Sequence, residues 1–371
     1  MQHDLPTTED SLAAIRPYSR VAILGGGSWG TAIAAIARRA GRQVTIWARD
    51  PDVARDINDN ARNEKYLPGI PLPEGITAYT DLAGAVRDAE AIFLVTPSHS
   101  IRDMARQLNP LLHRLTPIVV CAKGIEAESG LLMSSIVEEE LPGHPVGALS
   151  GPTFAAEAAR GDYTAATLAF DFKTIDRINP EGSPAARLAV SLGCESFRPY
   201  LSDDLVGLET AGAMKNVIAI ACGMMTGVGF AENTRAALIA RGLGEIQLVT
   251  LALGGRTDTV LGMGGVGDLT LTCNSSTSRN MSLGLQLGEG IPREQCFGGR
   301  KMVVEGERNA RSVHDLAGRL GLRLPICGTV YRILHEGADL RESFAALWAS
   351  PLEAEPWAMS VEIPHPVSLE A

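Results

Sequence analysis

Val21-Ala22-Ile23-Leu24-Gly25-Gly26-Gly27-Ser28-Trp29-Gly30 is a short apolar run that empties into a glycine-rich turn. An alanine-rich helical stretch follows from Thr31 to Ala40, stopped by Gly41, and Val44 to Ala48 then reads as a second strand. Strand, glycine turn, helix and strand in this order form a βαβ unit whose two strands are parallel. Gly25-x-Gly27-x-x-Gly30 has the spacing of a dinucleotide-binding turn. Its first glycine permits the tight turn, its second lets backbone approach a pyrophosphate, and its third lets helix and strand pack closely. The helix behind it aims unsatisfied N–H groups at phosphate. Such a spacing alone is weak, but here the strand before it and the helix after it supply the required context.

The alternation continues along the chain. Ala91–Val95, Ile118–Cys121 and Val146–Leu149 are apolar runs ended by Thr96-Pro97, Lys123-Gly124 and Ser150-Gly151-Pro152, with helical stretches at Ser100–Leu112 and Leu131–Glu140. Thr164–Ala169 and Phe197–Tyr200 add further strands, and Asn179–Pro184 reads as a surface loop. Short strands buried on both faces and separated by helices predict a doubly wound parallel, Rossmann-like α/β sheet. From Leu205 onward no strand is predicted. Helical stretches run through Leu205–Met225, Asn233–Leu253, Ser278–Leu287, Asn309–Leu320 and Pro325–Leu334. The expected organisation is an extension over 1–19, a nucleotide-binding domain over 20–203, an all-helical domain over 204–349 and a loose Pro- and Glu-rich tail over 350–371.

Composition fits this frame. A chain of 371 residues with 45% hydrophobic and 20% charged residues builds a sizeable core. The formal net charge of −10 argues against nucleic-acid binding. Six scattered cysteines without a C-x-x-C pair read as free thiols, and no metal site is expected. No leader and no membrane-spanning run is read, so the expected location is the cytoplasm.

Chemistry is expected beyond the carboxyl ends of the strands. Lys123 directly follows a buried strand and places a cation there. Lys215 lies in the apolar stretch Ala211–Ala221, where a lysine is rarely buried unless paired or working. An ammonium so placed suits carbonyl reduction, because it hydrogen-bonds a ketone oxygen and protonates the forming alkoxide. The competing reading is a lysine reaching out from the rim of an amphipathic helix. Asp268 reads either as a helix cap or as the partner of a catalytic ammonium. Ser278-Arg279-Asn280, at a helix start, suits a phosphomonoester. Arg49 and Asp50 stand side by side after the second strand. The arginine favours NADP and the acid NAD, and Arg49 coming first tilts the expectation to NADP.

These segments together resemble the NAD(P)-dependent sn-glycerol-3-phosphate dehydrogenases of bacteria. The carriers are Gly25–Ala32, Thr96–His99, Lys123–Glu126, Ser150–Ala155, Lys215–Val217, Gly267–Leu269, Ser278–Asn280 and Val304–Gly306, in order from Val21 to about Trp348. The resemblance implies a helical domain like that of 6-phosphogluconate dehydrogenase and the reduction of dihydroxyacetone phosphate to sn-glycerol 3-phosphate for phospholipid synthesis. It implies Lys215 as proton donor and acceptor, with Lys123 touching cofactor and substrate. Ser28, Trp29, Arg49, Ala155, Arg279, Val303 and Glu305 fall where the family contacts the dinucleotide. Gly151, Thr153, Asp268, Ser278, Arg279 and Asn280 fall where it holds substrate. A homodimer without integral membrane association is the expected assembly. The alternatives are another two-domain hydroxyacid or ketoacid reductase, such as a ketopantoate reductase, and a catalytically silent NADP-binding sensor.

Overall fold

The structure, a computed structural model, describes residues 15–112 and 115–350, with the backbone of 352–353 and 362–363. The readings of residues 1–14 as extension and of most of 351–371 as tail lie outside the described residues. The described pieces of that tail differ from the expectation of a loose strand-free end, because Leu352–Glu353 and Glu362–Ile363 pair antiparallel.

The chain divides into two compact units. The first comprises residues 1–123 and 131–209, the second 124–130 and 210–371. In the first unit β1 (Arg20–Leu24), α1 (Ser28–Arg39), β2 (Gln43–Trp47), α2 (Pro51–Asn60), β3 (Ile76–Tyr79), α3 (Leu82–Val86), β4 (Ala91–Leu94), α4 (Ile101–Leu108), β5 (Ile118–Val120), α5 (Met133–Glu140), β6 (Val146–Ser150), α6 (Ala155–Arg160), β7 (Thr164–Phe170), α7 (Thr174–Ile178), α8 (Pro184–Leu192) and β8 (Phe197–Ser202) alternate. The eight strands form one sheet in the order β3-β2-β1-β4-β5-β6-β7-β8.

Every neighbouring pair is parallel except β6 and β7. That pair corrects the parallel reading: β7 returns directly alongside β6, an arrangement that needs no crossover connection. Strand β3 was missed because it is an edge strand. Only Ile76 and Ala78 of its four residues are buried, so it lacks the apolar run of the central strands.

Alternation along each strand builds two cores. Val21, Ile23 and Phe93 face Ile33 and Ile36 of α1 and Leu188 and Leu192 of α8. Ala22, Leu24, Ile92 and Leu94 face Ile101 and Leu108 of α4 and Ile136 and Val137 of α5. A central strand with helices on both faces needs apolar side chains at both parities.

From Leu205 the chain is helical: α9 (Leu205–Val228), α10 (Glu232–Ala252), α11 (Thr257–Val260), α12 (Asp268–Asn274), α13 (Arg279–Gly288), α14 (Glu305–Leu320), α15 (Pro325–Glu336) and α16 (Leu340–Trp348). A single π-helical turn, Met263–Gly267, leads into α12. Helix α9 is long and apolar enough to cross a membrane, contrary to the sequence reading, but 94% of its apolar window is buried inside the protein. Its first turn, up to Glu209, belongs to the first unit, where Leu205 and Leu208 pack with Ala148 and Ala169.

In the second unit, α9 and α13 meet through four glycines. A Cβ on Gly223 would run into the Met281 carbonyl, one on Gly227 into Leu285, one on Gly284 into Ile220 and one on Gly288 into Met224. The contact is reciprocal and backbone to backbone. It brings Lys215-Asn216 of α9 and the start of α13 into one rigid frame.

Candidate active site

The first unit presents the glycine loop at the point where strand order reverses, between β1 and β4. Gly25 has φ of +136°, and a side chain there would also strike the Val95 carbonyl. A Cβ on Gly30 would collide with the Gly25 carbonyl, which is the close helix–strand packing expected of a third glycine. Gly27 is different: a Cβ there meets nothing within 4 Å. The α1 N-terminus that Gly27 caps has no side-chain cap, so its backbone donors remain for a ligand. At the adjoining end of β4 the Thr96 hydroxyl is buried without a hydrogen-bond partner. An open backbone face, uncapped helix donors and an orphaned hydroxyl fit a dinucleotide pyrophosphate.

A segment that sequence reasoning passed over holds this loop. Asn63, fully buried, donates to the Gly26 carbonyl (3.0 Å) and to Thr31 Oγ1 (2.8 Å). Ser28 Oγ donates to the Tyr66 carbonyl at 2.9 Å, and Trp29 packs at the edge of the core. Beyond β2, Arg49 is exposed and has no hydrogen-bond or ion-pair partner among the described residues. Asp50 is engaged twice. Its Oδ1 accepts from Asp52 N–H at 3.0 Å to cap α2, and its Oδ2 takes Lys65 Nζ at 2.5 Å. The Lys65 ammonium and the Asp52 N–H together hold the Asp50 carboxyl below the usual carboxylate range.

At the other strand ends, Lys123 is half-buried three residues past β5. Its positive charge opposes the burial that pushes the Cys121 thiol up. Gly151 lies flush against Ala166, where a Cβ would come within 2.6 Å of its Cα. Thr153 Oγ1 hydrogen-bonds Thr164 Oγ1 at 2.8 Å, and Ala155 opens α6.

In the second unit Lys215 is 7% exposed and Asp268 only 2%. Lys215 Nζ donates to Asp268 Oδ1 (2.6 Å) and to Thr272 Oγ1 (2.7 Å), and the Thr272 hydroxyl donates to the Asp268 carbonyl (2.6 Å). Lys215 is therefore buried and paired rather than reaching outward, and Asp268 opens α12 as its counter-charge. Thr272 was not singled out from sequence. The available signal was its position one turn after Asp268, on the same face of the helix. The π-helical turn before Asp268 is a further mark, since such turns recur at functional sites.

The start of α13 is assembled around the same frame. Ser278 caps it by accepting from Met281 N–H at 3.3 Å. Arg279 is exposed, and its Nη1 donates to the Val303 carbonyl at 2.8 Å. Asn280 bridges two elements: Nδ2 donates to Asn216 Oδ1 (2.9 Å), and Oδ1 accepts from Gly306 N–H (2.9 Å). Its amide thus orders the site from within. Glu305, half-buried, is the first residue of α14. Gly306 sits where a Cβ would strike Asn280 Oδ1 at 2.7 Å and the Asn216 carbonyl at 2.5 Å.

Comparison with known proteins matches both parts of the chain. Residues 20–175 match the family of the NAD-dependent glycerol-3-phosphate dehydrogenase N-terminus, and residues 204–345 match its C-terminus. Glycerol-3-phosphate dehydrogenase [NAD(P)+] of Rhodospirillum rubrum is 45% identical over 335 residues, 90% of this chain and 93% of that protein. That of Parvibaculum lavamentivorans is 44% identical, covering 91% and 98%. The crystal structure of glycerol-3-phosphate dehydrogenase from Coxiella burnetii superposes with a TM-score of 0.82 at 36% identity, covering 89% of this chain and 99% of that one. With both family halves matched in order and close relatives aligned nearly end to end, this chain belongs to the NAD-dependent glycerol-3-phosphate dehydrogenases.

Proposed function

We propose that this chain reduces dihydroxyacetone phosphate to sn-glycerol 3-phosphate, with NADPH preferred over NADH, and so supplies glycerophospholipid synthesis. The observation that carries the reading is the buried Lys215 ammonium held by Asp268 and Thr272. The reduced nicotinamide, when bound, supplies the hydride for C2. Lys215 hydrogen-bonds the C2 carbonyl oxygen and gives it the proton, while Asp268 and Thr272 fix Nζ. Arg279 and Ser278, at the α13 start, take the substrate phosphate, with Asn280 holding that start in place. In the first unit Gly25, Gly27, Ser28, Trp29, Gly30 and Arg49 hold the dinucleotide, and Lys123, Gly151, Thr153 and Ala155 act from the strand ends. Arg279, Val303 and Glu305 complete the cofactor set. Six unpaired cysteines suit a reducing cytoplasm, and a homodimer is the assembly favoured by base rate.

Oxidation of NADPH by dihydroxyacetone phosphate, followed at the reduced-nicotinamide absorbance, tests the reaction. Lys215→Ala is expected to lower turnover about 10²–10⁴-fold with little change in NADPH binding. Near-normal turnover in that variant would sink the assignment. Replacing the substrate with unphosphorylated dihydroxyacetone separates this reading from that of another ketone or ketoacid reductase, because only a phosphate-reading site then falls silent.

A further inference from the structure

We propose that Lys65 is a specificity-determining residue of the dinucleotide site: it withdraws the Asp50 carboxylate that would otherwise hold a ribose 2′-hydroxyl, leaving Arg49 to take a 2′-phosphate. The proposal rests on the dinucleotide reading above and deepens it.

Asp50 follows β2 and lies about 20 residues beyond the last glycine of the loop, where an acidic side chain accepts the adenosine ribose hydroxyls in NAD-binding sheets. Here each oxygen is already engaged, and the ammonium offsets its charge. Oδ1 caps α2 through Asp52 N–H at 3.0 Å, and Oδ2 takes the Lys65 ammonium at 2.5 Å. Arg49, the neighbouring residue, is exposed, with no hydrogen-bond or ion-pair partner among the described residues. Its planar fork of donors suits a phosphate.

Lys65 is not a loose surface lysine that happens to meet an acid. It stands between two anchored residues. Asn63 is tied to Gly26 and Thr31, and the Tyr66 carbonyl is tied to Ser28 Oγ. The Tyr66 and Leu67 N–H groups both donate to the Asn63 carbonyl, at 3.2 and 2.8 Å, closing the turn that carries Lys65. The same segment therefore grips the glycine loop and places the ammonium on Asp50. The Lys65 and Asp50 side chains are 56% and 32% exposed, so the pair adds little to stability. Its effect is on local charge. Arg49 and Asp50 alone would cancel, and Lys65 leaves the strand end net positive, as a 2′-phosphate requires.

The test is equilibrium binding of NADPH and of NADH to the full chain, read by calorimetry without turnover. In Lys65→Met, NADPH is expected to bind about tenfold more weakly, the loss of one charge-assisted contact's influence, while NADH binds severalfold more tightly. Adding Asp50→Asn to Lys65→Met should abolish the NADH gain, since that gain needs the freed carboxylate. A merely structural lysine would weaken both dinucleotides alike, and that result, or no change in either, overturns the proposal. Failure of the unsubstituted protein to bind either dinucleotide overturns the dinucleotide reading itself, and this proposal with it.

Discussion

Lys215 and Asp268 are both nearly withdrawn from water, so each depends on the other for stability. Removing one partner of a buried pair leaves an uncompensated charge and costs about 3–5 kcal/mol, whereas replacing both with apolar groups is often neutral. Lys215→Met and Asp268→Leu are thus each expected to lower the melting temperature. The double variant should melt above either single, and all three should lose turnover. Additive destabilisation in thermal melts would show that the pair is not coupled. Lys215 was legible in the sequence because a lone cation in an apolar run is conspicuous. Asp268 was ambiguous, because an acid before a helix serves equally as cap or counter-charge. Thr272, Asn63 and Lys65 were not legible. Their roles come from partners distant in sequence or from loop placement, and nothing in a threonine, an asparagine or a surface lysine announces that.

Two buried glutamates join helices end to side. Glu209 accepts from Ser134 N–H (3.0 Å) and from its hydroxyl at the start of α5, and Glu245 of α10 accepts from Ile326 and Cys327 N–H (2.5 and 3.0 Å) at the start of α15. Burial pushes both carboxyls up from 4.5 to about 7 against the lowering effect of those bonds. Between these values the folded state holds protons that the unfolded chain has released, so stability falls as pH rises from 4.5 to about 7. Each group contributes on the order of 3 kcal/mol to that fall. In Glu245→Gln, thermal midpoints should decline less steeply over this range. The variant should start lower at pH 5, having lost one acceptor, and close the gap by pH 8. An unchanged slope would remove Glu245 from the account. The glycine contact between α9 and α13 makes a second prediction by sign. Alanine is favoured over glycine in a helix by about 1 kcal/mol, yet overpacking costs about 1–3 kcal/mol. Gly223→Ala faces a backbone carbonyl and should destabilise, whereas Gly318→Ala, with nothing within 4 Å, should stabilise. The central strands and long helices were legible from apolar runs and helical spacing. The edge strand β3 and the reversal of β7 were not, because one is only half apolar and nothing in the other's apolar run marks its direction.

The matched family halves leave 176–203 between them, and the contact division falls later still, inside α9. A fragment ending at residue 203 therefore lacks Leu205 and Leu208, which pack on Ala148 and Ala169, and lacks Glu209, which caps α5. Compared with a fragment ending at residue 209, it should lose roughly 3–6 kcal/mol in urea denaturation, from two buried leucines. Equal stability would show that this turn of α9 is dispensable to the first unit. The polypeptide also passes between the units more than once, at Lys123–Gly124, at Gly130–Leu131 and at Glu209–Thr210. The short piece 124–130 is held by Arg319, whose Nη2 donates to the Ala127 and Glu128 carbonyls at 3.1 and 3.0 Å. A hybrid gene joined at a single crossover would give the helical half a clasp from the wrong parent. A hybrid that carries the second unit whole therefore has to take two separate segments from one parent, 124–130 and 210–371.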